Sequence, residues 1–367
     1  MDSYRPLIGT PVSDLDTPCL LVDLDALENN MSIIARTYEG KVCKMRQHAK
    51  NIKTPALGEM QIAMGGTVGG VCAAKTAEAE AMADGGIMDI LITSQVATRD
   101  KQARICAMAR RGVDIKVSID SPENLRQLSE VAVANNATVG VVIEVDTSMN
   151  RGGIRRIEQG VELAKLASQL PGIKFRGVMS HQTLSGQPDK ETRYIEGRRY
   201  IQMCLDVKDA IEDAGIPVEI VSSGESWTYD VAADIPGVTE VEGGTYFLMG
   251  TNYAYMDEFE YAAKILATVI STPRPGVAIG DVGSHALASP GGVLPTIDGV
   301  PGVKVAALQD EHIVLKSEGD MPLKTGDKFM LISGQHDIMV NRWDKFIGVR
   351  GGKVETVLDI TARGAHH

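Results

Sequence analysis

Aromatic residues and positive charge are both scarce in this sequence of 367 residues. Phe, Trp and Tyr make up 4% of the chain, which argues against an antiparallel sandwich rich in tyrosine and tryptophan. The 37 Lys and Arg residues are outnumbered by 48 Asp and Glu residues, so the formal net charge is −11. A nonspecific nucleic-acid binder needs a basic face, and so does a protein held on anionic lipid. The composition therefore predicts neither partner.

Long hydrophobic runs and paired cysteines are also missing. No apolar run reaches the ~20 residues of a membrane span. The N-terminus has no apolar segment behind a basic start, which a secretion signal would have. The five cysteines are widely spaced, and none forms a Cys-x-x-Cys motif. We therefore expect a cytoplasmic protein with reduced thiols and no membrane attachment.

The sequence is rich in glycine, with 38 residues, and alternates short apolar runs with amphipathic helical patterns. The runs are continuous, as in a parallel sheet covered on both faces. Eight runs predict an α/β fold, a closed (β/α)8 barrel of the TIM type over residues 25–258. A doubly wound open sheet is the alternative, but no Gly-x-Gly-x-x-Gly follows the first strand. The predicted strands are 41–47, 67–74, 89–94, 114–120, 138–146, 173–180, 218–223 and 239–249.

The pattern changes after the predicted barrel. Short extended runs follow one another, separated by Gly, Pro and Asp turns such as Thr325-Gly326-Asp327. This pattern predicts a C-terminal all-β domain over residues 259–367. We expect residues 1–24 to join that domain.

Reactive groups of a barrel cluster where its strands end. The first predicted strand runs into a segment that holds Arg46, His48, Lys50 and Lys53. A lysine at a strand end, buried beside other cations, has a lowered pKa and can form a Schiff base. A solvated basic turn is the alternative interpretation of the same residues.

Two turns rich in glycine, serine and threonine follow the last two predicted strands. They are SSGES at 222–226 and EGGTY at 242–246. Backbone N–H groups of such turns form the usual phosphate site of a barrel. A phosphate site together with a strand-end lysine is the arrangement that pyridoxal 5′-phosphate (PLP) requires.

With these features in this order, the chain resembles the fold-type III PLP enzymes, the alanine racemase-like family. Within it, the chain is most similar to the D-threonine aldolase and D-serine dehydratase branch. The resemblance implies an alanine racemase-like fold, PLP as cofactor, a small amino-acid substrate and a homodimer. It is carried by DTPCLLVDLDALENNM, RQHAKNIK, EVDTSMNRGG, DVGSHALAS, DEHIVL and SGQHDIMVNRWDKFIGVRGGKVE.

The resemblance also implies roles for individual residues. Lys50 matches the Schiff-base lysine, and Arg151 matches the arginine at the ring oxygen of the cofactor. His181 falls where alanine racemases place a histidine near the ring, although the aldolase branch usually has tyrosine. Glu242 matches the group facing the pyridine nitrogen, where racemases carry arginine, and this difference points away from simple racemisation. The implied phosphate-binding residues are Ser223, Gly224, Gly244 and Thr245.

A metal site is a further implication of the branch. Its members usually carry His-x-Asp or His-x-Cys where this chain has Gln335-His336-Asp337. Adjacent residues of a strand point to opposite faces, so His336 and Asp337 share an ion only in a bent loop. They are the implied ligands of Mn²⁺, Mg²⁺ or Zn²⁺, with the amide oxygen of Gln335 as a weaker alternative. A polar turn without an ion is the other interpretation.

The implied activity is that of a PLP-dependent aldolase that cleaves D-β-hydroxy-α-amino acids such as D-threonine to glycine and an aldehyde. Lys50 and His181 are its expected catalytic residues, assisted by the metal. A D-serine or 3-hydroxyaspartate dehydratase would use the same site and release ammonia and a keto acid. An amino-acid racemase is the third alternative. A non-catalytic PLP-binding protein is disfavoured, because such proteins generally lack the β-domain.

Overall fold

The structure is a computed structural model that describes residues 4–184 and 186–367. The chain divides into two compact units. The barrel unit comprises 33–50, 54–244 and 365–367, and the β-rich unit comprises 1–32, 51–53 and 245–364. The first elements in the chain are strand β1 (Cys19–Asp23) and helix α1 (Leu24–Thr37).

The barrel unit contains eight parallel strands that close into a barrel, as predicted. Each strand pairs with the next, and the eighth pairs with the first. All six residues of the fifth barrel strand are buried, because helices outside and side chains inside cover both faces. The strands are β2 (Lys44–His48), β3 (Thr67–Ala73), β4 (Asp89–Ile92), β5 (Asp114–Ile119), β6 (Val139–Glu144), β7 (Ile173–Ser180), β8 (Ile220–Ser223) and β9 (Glu240–Gly243).

Helices lie between these strands, and the one after the fourth barrel strand shows why such a helix begins where it does. The Ser121 side chain accepts a hydrogen bond from Asn124 N–H at 3.2 Å, and Pro122 stands in the first turn, an arrangement that favours a helix N-terminus. The helices are α2 (Pro55–Met64), α3 (Thr76–Asp84), α4 (Arg99–Arg110), α5 (Pro122–Ala134), α6 (Ile157–Gln169), α7 (Lys190–Asp213) and α8 (Tyr229–Ala232).

Ion pairs link the first halves of several barrel strands, and the cations Arg46 and Lys116 at their centre are buried. The Arg46 side chain is 2% exposed and bonds Glu240 twice at 2.8 Å and Asp89 at 2.8 Å. Lys116 is equally buried and bonds the same Asp89 at 2.7 Å. We call the whole series the barrel ion chain. It runs from Glu240 through Arg46, Asp89, Lys116, Asp114 and Arg176 to Glu219.

The β-rich unit is a nine-stranded, mostly antiparallel sheet. β1 pairs antiparallel with β10 (Ala263–Arg274) and parallel with β16 (Lys345–Arg350), so the N-terminal segment lies in the sheet of this unit. Its core includes Leu15, Leu21, Leu266 and Ile347. The elements of this unit are the short helix α9 (Thr245–Leu248), then β10 (Ala263–Arg274), β11 (Val277–Gly280), β12 (Thr296–Asp298), β13 (Val303–Leu308), β14 (Ile313–Ser317), β15 (Lys328–Ile332), α10 (His336–Val340), β16 (Lys345–Arg350) and β17 (Lys353–Asp359).

One predicted strand differs in extent from the structure, and two details of the β-rich unit were not predicted. The strand predicted over 239–249 ends at Gly243, and the rest begins α9, because two glycines interrupt the apolar run. β16 and β17 form a hairpin that turns at Gly351 and Gly352, both at positive φ, a conformation that glycine adopts without strain. β12 was not predicted, since a three-residue strand has no readable alternation.

All five cysteines are buried, and none of them forms a disulfide. No helix in the described part of the chain combines the length and the apolar composition needed to cross a membrane.

Candidate active site

The first barrel strand places Lys50 at the mouth of the barrel. β2 ends at His48, and the next three residues form one tight helical turn that contains Lys50. The Lys50 backbone N–H donates to His48 Nδ1 at 3.4 Å. The Lys50 side chain is partly buried. A lysine held in this way stands where the reactive groups of a parallel barrel collect.

His181 follows β7 and lies between two carboxyl groups. Its Nε2 is 3.1 Å from Glu225 Oε1, and its Nδ1 is 4.0 Å from Glu242 Oε2. Burial, and then the positive charges of Lys50 and Arg151, lower the pKa of His181 to about 3. His181 on its own is therefore a neutral imidazole at physiological pH.

Glu225 lies in the turn after β8, and the sequence analysis did not single it out. Its Oε1 also accepts the Gln182 backbone N–H at 3.0 Å. Its own backbone N–H donates to Thr228 Oγ1 at 2.8 Å. Burial raises the pKa of Glu225 to about 7, although the charge of Lys50 opposes the shift. The signal was present, because SSGES contains a carboxylate at a strand end, but the turn was interpreted only as a phosphate site.

Glu242 lies near the end of β9 with its side chain fully buried. Ser222 Oγ donates to its Oε1 at 2.9 Å. Its Oε2 has no hydrogen-bond partner among the described residues. Burial, reinforced by the negative charges of Glu240 and Glu225, raises the pKa of Glu242 to about 8. We call Lys50, His181, Glu225 and Glu242 the strand-end cluster.

The two predicted phosphate turns lie at the ends of β8 and β9. Gly224 has φ +121°, and a Cβ there would lie 2.9 Å from Thr228 Oγ1, so this backbone requires glycine. Ser223 Oγ is buried and contacts Ser180 Oγ at 2.7 Å. The Gly244 backbone N–H donates to Ser226 Oγ at 3.0 Å. Thr245 begins α9 and belongs to the β-rich unit.

Arg151 lies in the loop after β6 with 58% of its side chain exposed. Its Nη2 is 3.9 Å from Glu144 Oε1. Glu144 is buried and accepts hydrogen bonds from Gln95 and, at 3.3 Å, from Ser118. Burial raises the pKa of Glu144. Sequence analysis missed Glu144, because its contacts with Arg151, Gln95 and Ser118 join residues from three neighbouring strands or the loops that follow them.

The residues predicted to bind a metal lie in the β-rich unit, at the start of α10. His336 is buried, and its Nε2 is 3.1 Å from the side-chain nitrogen of Asn51. The Gln335 side-chain N–H donates to Asp337 Oδ2 at 3.4 Å. Within 4–184 and 186–367, no three His, Cys, Asp or Glu side chains form a group that could hold a metal ion.

Comparison with known proteins gives matches over nearly the whole chain. Residues 22–251 match the family model described as alanine racemase, N-terminal domain, and residues 262–349 match a serine dehydratase domain. A 3-hydroxy-D-aspartate aldolase of Paracoccus denitrificans (strain Pd 1222) is 34% identical, over 98% of this chain and 95% of that protein. A D-threonine aldolase of an Arthrobacter species is 30% identical, over 97% and 95%.

A solved structure gives the same result. The crystal structure of D-threonine aldolase from Filomicrobium marinum superposes with a TM-score of 0.94 at 32% sequence identity. The match covers 99% of this chain and 100% of that one.

Proposed function

The chain belongs to the alanine racemase-like family, and we propose that it is a PLP-dependent lyase, an aldolase that cleaves 3-hydroxy-D-amino acids such as D-threonine into glycine and an aldehyde. The observation that carries this proposal is the full-length similarity, at 30–34% identity, to two proteins named as aldolases of such amino acids. The strand-end cluster supports it, because it supplies an amine, an imidazole and two carboxyl groups at one end of the barrel.

The surroundings of Glu242 test whether the residues at the barrel mouth fit PLP, and they do. Its Oε2 is a buried polar atom with no partner among the described residues, and such an atom is costly unless a ligand satisfies it. A ring nitrogen would do so. Gly224 supports the same fit, because its backbone leaves no room for a side chain beside the proposed phosphate turn.

These residues then divide the binding of the cofactor among them. Lys50 would hold its aldehyde, and Arg151 its ring oxygen. Glu242 would hold the ring nitrogen. The phosphate-binding residues would be Ser223, Gly224, Gly244 and Thr245. When bound, PLP withdraws electrons from the α-carbon of an attached amino acid, so that a bond to that carbon can break.

His181 is the proposed base for the β-hydroxyl of the substrate. Aldol cleavage requires loss of the hydroxyl proton as the bond between Cα and Cβ breaks and the aldehyde C=O forms. His181 is neutral because burial and nearby cations lower its pKa, so a ring nitrogen has a lone pair to accept that proton. The same proton is available to return when glycine is completed.

The predicted metal ligands do not fit a preformed metal centre. The described residues offer no group of three ligands around His336 and Asp337. We therefore derive no step through a metal ion. Binding of Mn²⁺, Mg²⁺ or Zn²⁺ at Gln335, His336 and Asp337 stays a prediction, which activity assays with added Mn²⁺ or with EDTA will test.

Product analysis of the PLP-loaded protein tests the proposed function. We expect glycine and an aldehyde from D-threonine and from a D-isomer of 3-hydroxyaspartate, and none from the L-isomers. Ammonia and a keto acid would identify a dehydratase instead, and interconversion of D- and L-alanine would identify a racemase. Lys50→Ala should abolish both turnover and the visible absorption of lysine-bound PLP. Absence of any aldehyde from every D-substrate would refute the proposal.

Two further predictions from the sequence concern the whole protein in the cell. A homodimer is tested by light scattering of the PLP-loaded protein. A cytoplasmic location is tested by cell fractionation.

A further inference from the structure

Glu225 touches His181 but has no part in the binding roles assigned above. One atom, Oε1, lies 3.1 Å from His181 Nε2 and 3.0 Å from the Gln182 backbone nitrogen. The Gln182 N–H is a fixed donor, so Oε1 must accept it. Thr228 holds the backbone of Glu225 through a hydrogen bond of 2.8 Å. The Gln182 N–H thus holds the carboxyl group, and Thr228 holds the backbone that carries it, beside one nitrogen of the imidazole.

Several charged or titratable groups face this pair. The positive charges of Lys50 and Arg151 act on both His181 and Glu225. Glu242 faces His181 Nδ1 at 4.0 Å. The ring of His48 meets that of His181 edge-on at a centroid distance of 6.5 Å. Two nearby cations favour the ionised form of Glu225, and a protonated Glu242 leaves the Nδ1 side without a negative charge.

We propose that Glu225 is a positioning residue that makes His181 a base at Nδ1. The ionised carboxylate accepts Nε2–H and so keeps the lone pair of the ring on Nδ1. Nδ1 is the nitrogen turned towards Glu242, which is the proposed partner of the cofactor ring. The inference rests on the proposed function in one respect, namely that the proton arriving at Nδ1 comes from the β-hydroxyl of the substrate.

The proton balance of this step is complete within the pair. The O–H bond of the substrate breaks, and its electron pair forms the aldehyde C=O as the bond between Cα and Cβ breaks and leaves its own pair on Cα. The released proton forms an Nδ1–H bond. The positive charge on the imidazole is then neutralised by Glu225, to which the proton on Nε2 can shift. Burial opposes a charged imidazole and a charged carboxylate separately, but a pair with one shared proton titrates as a unit.

Nitrogen-15 NMR of the PLP-loaded protein, labelled in its seven histidines, tests this pair without turnover. The His181 signals are identified by their loss in His181→Asn. In the unmodified protein at about pH 8.5, we expect a proton on Nε2 and none on Nδ1. As the pH falls, Nδ1 should become protonated with a midpoint near that of Glu225, at about 7.

Glu225→Gln is the decisive variant. Its amide oxygen still accepts both N–H groups but cannot ionise, so we expect Nδ1 to stay unprotonated down to about pH 5.5. Turnover should fall by about 10²-fold with KM changed less than ~3-fold. Glu225→Asp, which keeps a carboxylate, should recover part of the Nδ1 titration and part of the turnover. The control Glu158→Gln, at an exposed position of α6, should match the unmodified protein.

Two outcomes overturn the inference. One is an Nδ1 titration in Glu225→Gln with the same midpoint as in the unmodified protein. The other is a proton already on Nδ1 at about pH 8.5 in the unmodified protein. Failure of the proposed function is distinguishable, since it appears as absence of aldehyde from the unmodified protein, whereas the NMR titration reports on the pair in either case.

Discussion

At Glu242 the barrel buries a carboxyl group with only one of its oxygens hydrogen-bonded among the described residues. Burial raises the pKa from 4.5 to about 8. Between these pH values the folded protein keeps a proton that the unfolded chain releases. The free energy of unfolding therefore falls as the pH rises through this window, by up to about 1.4 kcal/mol per pH unit.

Glu242→Gln is neutral at every pH and should lack this slope. We expect the apoprotein of the variant to gain stability over the unmodified protein as the pH rises from about 5 to about 8. Urea unfolding at three pH values in that range measures the difference. Parallel pH profiles for the two proteins would contradict the prediction. Glu158→Gln, exposed on α6, controls for the loss of a glutamate elsewhere.

Gly224→Ala should weaken both PLP binding and the folded state. The new Cβ would lie 2.9 Å from Thr228 Oγ1 and 3.1 Å from Val241 Cγ1, at a φ of +121°. Gly215→Ala is the matched control, with φ +81° and nothing within 4 Å. Crowding should make the first variant less stable than the second by about 1–3 kcal/mol. Thermal unfolding measures the loss of stability, and absorbance titration measures the loss of PLP binding. Equal losses of stability in the two variants would argue against crowding.

Residues of the site differ in how far the sequence predicts them. Lys50 was predicted from its place at a strand end, and the family resemblance implied roles for His181 and Glu242; the structure brings these three together. Glu225 also stands at a strand end but was missed. Its importance depends on a contact with His181 across 44 residues of chain, and such pairings come only from three-dimensional packing. The same holds for Glu144, which contacts Arg151 once the loop folds back.

At the scale of secondary structure, the barrel ion chain links strands to one another. Arg46 of β2 ties β9 to β4 through Glu240 and Asp89. The Arg46 and Glu240 side chains are 2% and 4% exposed. Removing one member of such a buried pair leaves an uncompensated charge, which typically destabilises by about 3–5 kcal/mol.

Arg46→Met should therefore destabilise the barrel unit by about 3–5 kcal/mol at neutral pH. Arg46→Met combined with Glu240→Gln should recover part of this loss of stability, because the carboxylate left without a partner is gone. The two tryptophans lie one in each unit, Trp227 and Trp343. In a Trp343→Phe background, fluorescence during urea unfolding follows the barrel unit alone. If Arg46→Met in the Trp343→Phe background is as stable as Trp343→Phe alone, the ion pair of Arg46 with Glu240 is dispensable.

Secondary-structure elements were predicted best where the apolar pattern extends over many residues. All eight barrel strands appear in the structure, because most of them are continuous apolar runs bounded by turns. The start of α10 at His336 was not foreseen, since five residues are too few to show a helical period. The barrel ion chain was not foreseen either. Arg46 and Lys116 are charged residues inside strands, and sequence alone does not show that their partners lie on neighbouring strands.

At the scale of the whole molecule, the reactive groups and the barrel ion chain occupy different parts of the same eight strands. Lys50, His181 and Glu225 follow strand ends, whereas Asp89 and Asp114 are the first residues of their strands. The charged residues in the first halves of the strands therefore serve the fold, and the groups at the strand ends serve the chemistry. This separation is consistent with one family that contains both aldolases and racemases.

The burial of Arg46, Glu240 and Lys116 in the barrel ion chain also sets how the protein responds to ionic strength. Raising NaCl from about 0.01 M to about 0.15 M shortens the screening length from ~30 Å to ~8 Å, but buried pairs are screened far less than exposed ones. The same salt relieves the mutual repulsion of a chain with a net charge of −11. We expect the urea midpoint of the barrel unit to rise or hold steady over this range, and a clear fall would contradict it. A barrel built in this way tolerates added NaCl better than its many ion pairs would suggest.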